Sequence, residues 1–191
     1  MHRPAQTEYN SVQNGYGRIS RFNHWVTAAA FLIALGIGLV IGYGGLGEEQ
    51  VFALYAWHML FGAFVLAYGF WRVAWRMANG FPEPTAPRPR WQEAISKAVH
   101  VALLTIIVAM PVSGILMTIS GGFDVILWGV ILIPSIGEVG WLNRATGAVH
   151  GITPFAILGL LILHVGAALK HHFIDRDGTL VRMTSGRKGH S

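Results

Sequence analysis

Apolar residues fall into four long segments separated by polar or glycine-rich stretches. The segments cover residues 25–43, 51–70, 98–119 and 148–169. Each reaches the length of about 20 residues that a helix needs to cross the hydrocarbon core of a membrane. A fifth apolar run, residues 125–134, is too short to cross, so we interpret it as an interfacial or re-entrant piece of an outer loop at residues 120–147. The pattern predicts an all-α membrane protein, an antiparallel bundle of four transmembrane helices forming one domain over residues 1–191.

Composition favours a membrane protein over a soluble one. Of the 191 residues, 53% are apolar and 12% are charged, whereas soluble domains carry about 25% charged residues. The net charge of +5 does not indicate nucleic-acid binding, because the basic residues lie between apolar segments and not on one water-facing surface. The chain has no cysteine, which excludes disulfides, thiolate metal sites and covalent haem attachment.

The positions of Lys and Arg predict the orientation in the membrane. Thirteen of the 14 basic residues precede the first span, join the second to the third, or follow the fourth, and Arg144 alone lies on the other side. Because cytoplasmic flanks hold the excess of basic residues, both termini are predicted to be cytoplasmic. The proline-rich segment at residues 81–90 is predicted to be an extended cytoplasmic loop. The spans and their flanking charges therefore predict a multi-pass membrane protein.

Histidine is the ionisable residue that recurs inside the predicted spans. The five positions are His24, His58, His100, His150 and His164. Ionisable side chains within a membrane are rare and usually functional. In the predicted topology His58 and His150 lie towards the outer face, and the other three lie towards the inner face.

The fourth span presents two of these imidazoles in one direction. Fourteen residues separate His150 from His164, which gives a rise of about 21 Å and a rotation of only about 40°. At matching depth His58 faces His150, and either His24 or His100 faces His164. Two stacked bis-histidine sites suit haem b in an electron-transfer protein. Zinc is the main competing metal for imidazole, but it prefers four ligands clustered at one depth.

The sequence is similar to the bacterial cytochrome b561 family, four-helix membrane proteins with two haems that include superoxide oxidase. The similarity extends over residues 18–183. Its landmarks, in order, are ISRFNHW at 19–25, WH at 57–58, PVSGILM at 111–117, and His164 followed by His171-His172 and GTLVRM at 178–183. The resemblance implies two b haems, with His24 and His164 as iron ligands of the inner haem and His58 and His150 as iron ligands of the outer haem.

The resemblance also implies an oxidoreductase activity linked to ubiquinone. By position we expect the quinone head group at the inner face, beside His100 and His171. A neighbouring imidazole can accept or release the proton that accompanies quinone chemistry. Arg72, Arg76 and Lys170 lie near this face too, although charges at span ends equally serve to anchor a protein at lipid head groups.

The outer loops bear on the electron donor. They carry Glu48, Glu49, Asp124 and Glu138 against a single Arg144. The resemblance implies superoxide as the donor, but an anion is steered by a positive surface. This negative surface is better suited to a basic periplasmic electron carrier, and both donors remain candidates.

Two other functions fit the same spans. One is a cytochrome b subunit that anchors a hydrogenase or dehydrogenase in the membrane. The other is a histidine-lined transporter of metal ions or protons, for which an intramembrane Asp or Glu would be expected.

The predicted orientation is tested by reporter fusions. A green fluorescent protein fused after Ser191 should fluoresce, and alkaline phosphatase at the same position should be inactive. Alkaline phosphatase inserted after Gly122, in the outer loop, should be active and serves as the matched control. Active phosphatase at the C-terminus would contradict the orientation.

Overall fold

Four long helices form the fold. The computed structural model describes residues 16–80 and 89–185. The helices are α1 (Arg18–Tyr43), α2 (Glu48–Asn79), α3 (Arg90–Ser120) and α4 (Gly140–Phe173). Within the described residues, these four are long and apolar enough to cross a membrane. The predicted fold class and number of spans are confirmed, whereas most of the predicted extended loop, residues 81–88, lies outside the described residues.

Each helix continues beyond its apolar segment into polar sequence. The 34 residues of α4 correspond to a length of about 51 Å, against about 30 Å for the hydrocarbon core. α2 continues past the end of its predicted apolar segment at residue 70 through Arg72 and Arg76 to Asn79. The apolar segments therefore mark the part of each helix that suits lipid, and the helices end later.

Residues at seven-residue intervals form three layers across the bundle, which are named inner, middle and outer after the orientation predicted from the basic residues. The inner layer contains His24, Arg72, His100 and His164. The middle layer contains Phe31, Val65, Ile107 and Ile157. The outer layer contains Gly38, His58, Gly114 and His150. Seven residues are close to two helical turns, so each helix presents its three layer positions on one face.

The middle layer is the packed core of the bundle. Ile157 is completely buried, Val65 is 1% exposed, and both pack in one cluster with Phe31 and Ile107. Gly69 lets α2 and α3 approach closely, since an added Cβ would lie 2.5 Å from Ile107 Cγ2. This apolar layer separates the polar inner layer from the outer layer.

The fifth apolar run forms a β-hairpin. Strand β1 (Val125–Leu127) pairs with the antiparallel strand β2 (Val130–Ile133). The tip residues Trp128 and Gly129 both have positive φ, 46° and 82°, as a two-residue hairpin turn of the type I′ class requires. The Trp128 ring packs edge-on against the Trp57 ring of α2, with a centroid distance of 5.8 Å. The hairpin thus folds onto the outer end of the bundle.

A short helix closes the inner end. Helix α5 (Thr179–Thr184) packs back towards α1. Trp25 Nε1 donates to the Met183 carbonyl at 3.2 Å, and Arg21 Nη1 donates to the Thr184 carbonyl at 3.2 Å. The segment that follows α4 is therefore fixed beside the start of α1, next to the inner layer.

Candidate functional site

The outer layer brings the rings of His58 and His150 close together. Their ring centroids are 6.0 Å apart and their planes are nearly perpendicular, at 89°. His58 Nδ1 lies 3.1 Å from the Ala34 carbonyl oxygen, and His150 Nδ1 lies 3.1 Å from the Met110 carbonyl oxygen. A carbonyl oxygen only accepts, so each Nδ1–H donates and each Nε2 keeps a free lone pair. A histidine that ligates a metal through Nε2 needs this tautomer, with the proton on Nδ1.

A glycine opposite each outer imidazole leaves room for its ring. A Cβ on Gly38 would lie 2.9 Å from His58 Cε1, and a Cβ on Gly114 would lie 2.8 Å from His150 Cε1. Any larger residue at either position would push the ring away from its carbonyl. Each imidazole is thus positioned by two features of the facing helix: a backbone carbonyl that accepts its hydrogen bond, and a glycine one helical turn after that carbonyl.

A cavity of about 1400 Å³ surrounds this pair. It is larger than the cavities of about 300–1,000 Å³ that hold most small ligands. Its walls are mainly apolar and come from all four helices and the hairpin, and include Gly62, Gly147 and Leu127. The outer layer therefore offers two ligating nitrogens inside a space suited to a large, flat, apolar group.

The inner layer contains three imidazoles and one guanidinium. The His24 and His164 ring centroids are 6.3 Å apart, and the His100 and His164 centroids are 5.3 Å apart. Arg72 Nη2 lies 2.9 Å from His24 Nδ1. Because a guanidinium only donates, His24 Nδ1 accepts this bond and carries its proton on Nε2. Ligation through His24 Nε2 therefore requires Arg72 to turn away from Nδ1, a step that the outer pair does not need.

The distances test whether one metal atom fits between two rings. Two metal–nitrogen bonds of about 2.0–2.1 Å, with about 1.2 Å from each nitrogen to its ring centre, require centroids about 6.4 Å apart. The outer pair at 6.0 Å and the His24–His164 pair at 6.3 Å are close to this separation. The His100–His164 separation of 5.3 Å is about 1 Å shorter. The His58–His150 and His24–His164 pairs therefore have about the ring separation that two imidazoles on one metal atom need, and the His100–His164 pair is shorter.

His171 lies apart from the imidazoles of the inner layer. It follows His164 by seven residues, a distance of about 10 Å along α4. Its Nδ1 lies 2.9 Å from Asp175 Oδ2 and 3.0 Å from Asp177 Oδ2. A hydrogen bond from the Lys170 ammonium lowers the pKa of Asp175, which therefore stays ionised beside His171. The two residues expected beside the quinone, His100 and His171, thus occupy successive levels along the bundle.

Arg72 is the inner-layer residue whose contact with His24 does not follow from the sequence. The sequence places it near the quinone face, with anchoring at lipid head groups as an equal alternative. The spacing of the sequence indicates that Arg72 belongs to the inner layer, because Arg72 follows His58 by 14 residues and His164 follows His150 by the same number. The same count separates His24 from Gly38 and His100 from Gly114.

Comparison with known proteins assigns the chain to a family. The model of the prokaryotic cytochrome b561 family matches residues 15–186. The protein named cytochrome b561 homolog 2 of Escherichia coli (strain K12) is 28% identical over 179 residues, which cover 92% of this chain and 94% of that protein. Cytochrome b561 homolog 1 of the same organism is 26% identical over 177 residues, covering 92% and 99%. With a family match over nearly its whole length, this chain belongs to the prokaryotic cytochrome b561 family.

Proposed function

We propose that this chain binds two b haems and passes electrons from a donor on the periplasmic side to ubiquinone at the inner face of the bacterial cytoplasmic membrane. Members of the cytochrome b561 family are membrane electron-transfer proteins that bind haem b. The observation that carries the di-haem proposal is the presence of two facing histidine pairs at two depths, with nearly equal centroid distances of 6.0 and 6.3 Å.

The protein's own groups orient and insulate the proposed cofactors. His58 and His150 would hold the outer haem, and His24 and His164 the inner one. Bound haem would supply a one-electron carrier at each level, and two imidazole ligands leave no open position for oxygen. The Ala34 and Met110 carbonyls fix the tautomer of the outer imidazoles.

Removal of one proposed haem-binding imidazole from each layer tests the two proposed sites separately. His150→Ala should eliminate the outer haem and His164→Ala the inner haem, so each variant should retain one haem b per chain. His172→Ala is the matched control, because this ring packs on Phe173 at the end of α4 and not in a layer. Pyridine haemochrome quantification of the purified variants gives the count. Two haems in both alanine variants would contradict the pairing.

The quinone site is proposed beside His100 at the inner layer. The His100 ring contacts the His164 ring, and its Nδ1 lies 3.5 Å from Ser96 Oγ. If His24 is the ligand, His100 would be the imidazole that exchanges a proton with a quinone carbonyl. His171, held near Asp175 and Asp177, would connect this site with protons on the cytoplasmic side.

Loss of the His100 imidazole should impair quinone chemistry and spare the haems. His100→Ala is expected to retain two haems per chain and to slow haem reduction by ubiquinol by on the order of 10²-fold, the effect of removing a general base. His172→Ala should leave the rate unchanged. Stopped-flow absorbance at the reduced-haem band measures the rate. Loss of the inner haem in His100→Ala, with retention in His24→Ala, would make His100 the ligand instead.

The charge of the outer surface affects which electron donor can bind there. Asp124 Oδ1 accepts from the Ser135 backbone N–H at 2.7 Å, and Glu48 and Glu49 begin α2. These carboxylates, with Glu138, surround the outer end and outnumber Arg144. The proposed donor is therefore either superoxide, as the family resemblance suggests, or a cationic electron carrier, which the charge favours.

Family membership argues against the histidine-lined transporter. The alternative of an anchor subunit for a hydrogenase or dehydrogenase remains compatible with a cytochrome b561. A metalloprotein that co-purifies in a one-to-one ratio would support that alternative, whereas quinone-linked activity of the isolated chain would support the proposed function.

A further inference from the structure

The two halves of the bundle repeat the same layer positions. α1–α2 supplies Gly38 and His58 to the outer layer, and α3–α4 supplies Gly114 and His150. In each half the histidine approaches the carbonyl four residues before the glycine, Ala34 or Met110, at 3.1 Å. The outer layer is therefore symmetric between the halves.

The inner layer breaks this symmetry at one position. His24 of α1 corresponds to His100 of α3, since each lies 14 residues before its glycine. Arg72 of α2 corresponds to His164 of α4, since each lies 14 residues after its outer histidine. One of the four equivalent inner positions thus carries a permanent positive charge, because a guanidinium stays protonated in proteins.

Within the part of the chain that the structure describes, no carboxylate pairs with the Arg72 guanidinium. Among residues 16–80 and 89–185, Arg72 forms no ion pair, and its hydrogen bond is to the His24 imidazole. Arg76, one turn further towards the cytoplasm, adds a second cation within electrostatic reach of His24 and His100. In a poorly screened interior such charges act strongly on a neighbouring redox centre.

The outer layer has the opposite electrostatic surroundings. Its two imidazoles contact backbone carbonyls and the neutral Ser113 hydroxyl. Beyond them lie the acidic outer loops, with Glu48, Glu49, Asp124 and Glu138. The field along the bundle therefore runs from negative at the outer end to positive at the inner layer.

We infer that Arg72 makes the inner redox site the stronger electron acceptor and so directs electrons from the outer site to the inner site. The inference rests on the proposed di-haem function. In this step the outer site is oxidised by one electron and the inner site is reduced by one, with no bond or proton transferred. The added negative charge is favoured beside Arg72 and disfavoured beside the outer carboxylates, because charges interact over several Å in a poorly screened interior. This interaction does not depend on the Arg72–His24 hydrogen bond, which ligation through His24 Nε2 would break.

Potentiometric titration of single-haem variants tests this inference. His150→Ala isolates the inner haem and His164→Ala the outer haem. The inner haem should have the higher midpoint potential, with at least about a tenfold preference for the electron, which is 59 mV for a one-electron couple. In the His150→Ala background, Arg72→Gln should lower the inner midpoint potential, and Arg72→Lys, which keeps the charge, should largely retain it.

Arg76→Gln is the matched control. Its side chain contacts the Gly80 carbonyl and the Tyr16 ring at the helix end, so its effect on the inner potential should be smaller than that of Arg72→Gln. If Arg72→Gln does not retain the inner haem, two other measurements test the inference. One is the inner midpoint potential of Arg72→Lys compared with that of the wild-type residue, and the other is the order of the inner and outer midpoint potentials. A higher outer potential, or an inner potential unchanged by Arg72→Gln, would overturn the inference. A wild-type chain without haem would instead refute the proposed function.

Discussion

Seven-residue spacing on four helices is the constraint on which the rest of this structure depends. In a membrane there is no water to satisfy a polar side chain, so such a side chain must face a partner inside the protein. Two intervals of seven residues place the positions of each helix at three depths on one face. Four such helices then meet in layers, and polar residues occupy the first and third layers while apolar residues fill the second.

Each layer has a different role in the structure. Ile157 and Val65 in the middle layer are almost completely buried and hold the helices together by close packing. Above them, glycines and backbone carbonyls position two imidazoles with little freedom. Below them, Arg72 replaces a histidine and gives the inner layer a charge that the outer layer lacks. The two layers therefore have similar geometry and different electrostatics, which suits the proposed pair of electron carriers.

Much of this arrangement was predictable from the sequence, and the remainder depends on side-chain distances. The four spans follow from hydrophobicity, and the opposition of His58 and His150 follows from depth. The choice between His24 and His100 does not follow from depth, because both lie at the same depth. Their ring separations from His164 are 6.3 and 5.3 Å, and His24 as the ligand stays a prediction. The hairpin was missed because a short apolar run has the same composition in a strand and in an interfacial segment. The contact of Arg72 with His24 was not predicted, because a cation near a span end is also the normal signal of orientation.

The central claim is that the inner and outer layers each bind one b haem, and a reduced-minus-oxidised visible spectrum of the detergent-purified chain tests it most directly. Pyridine haemochrome quantification on the same sample, produced with a full supply of haem, gives the stoichiometry. The account predicts two haems b per chain, both reducible in the absence of any other protein. A chain that is folded and free of haem, or that binds a single haem, would contradict it.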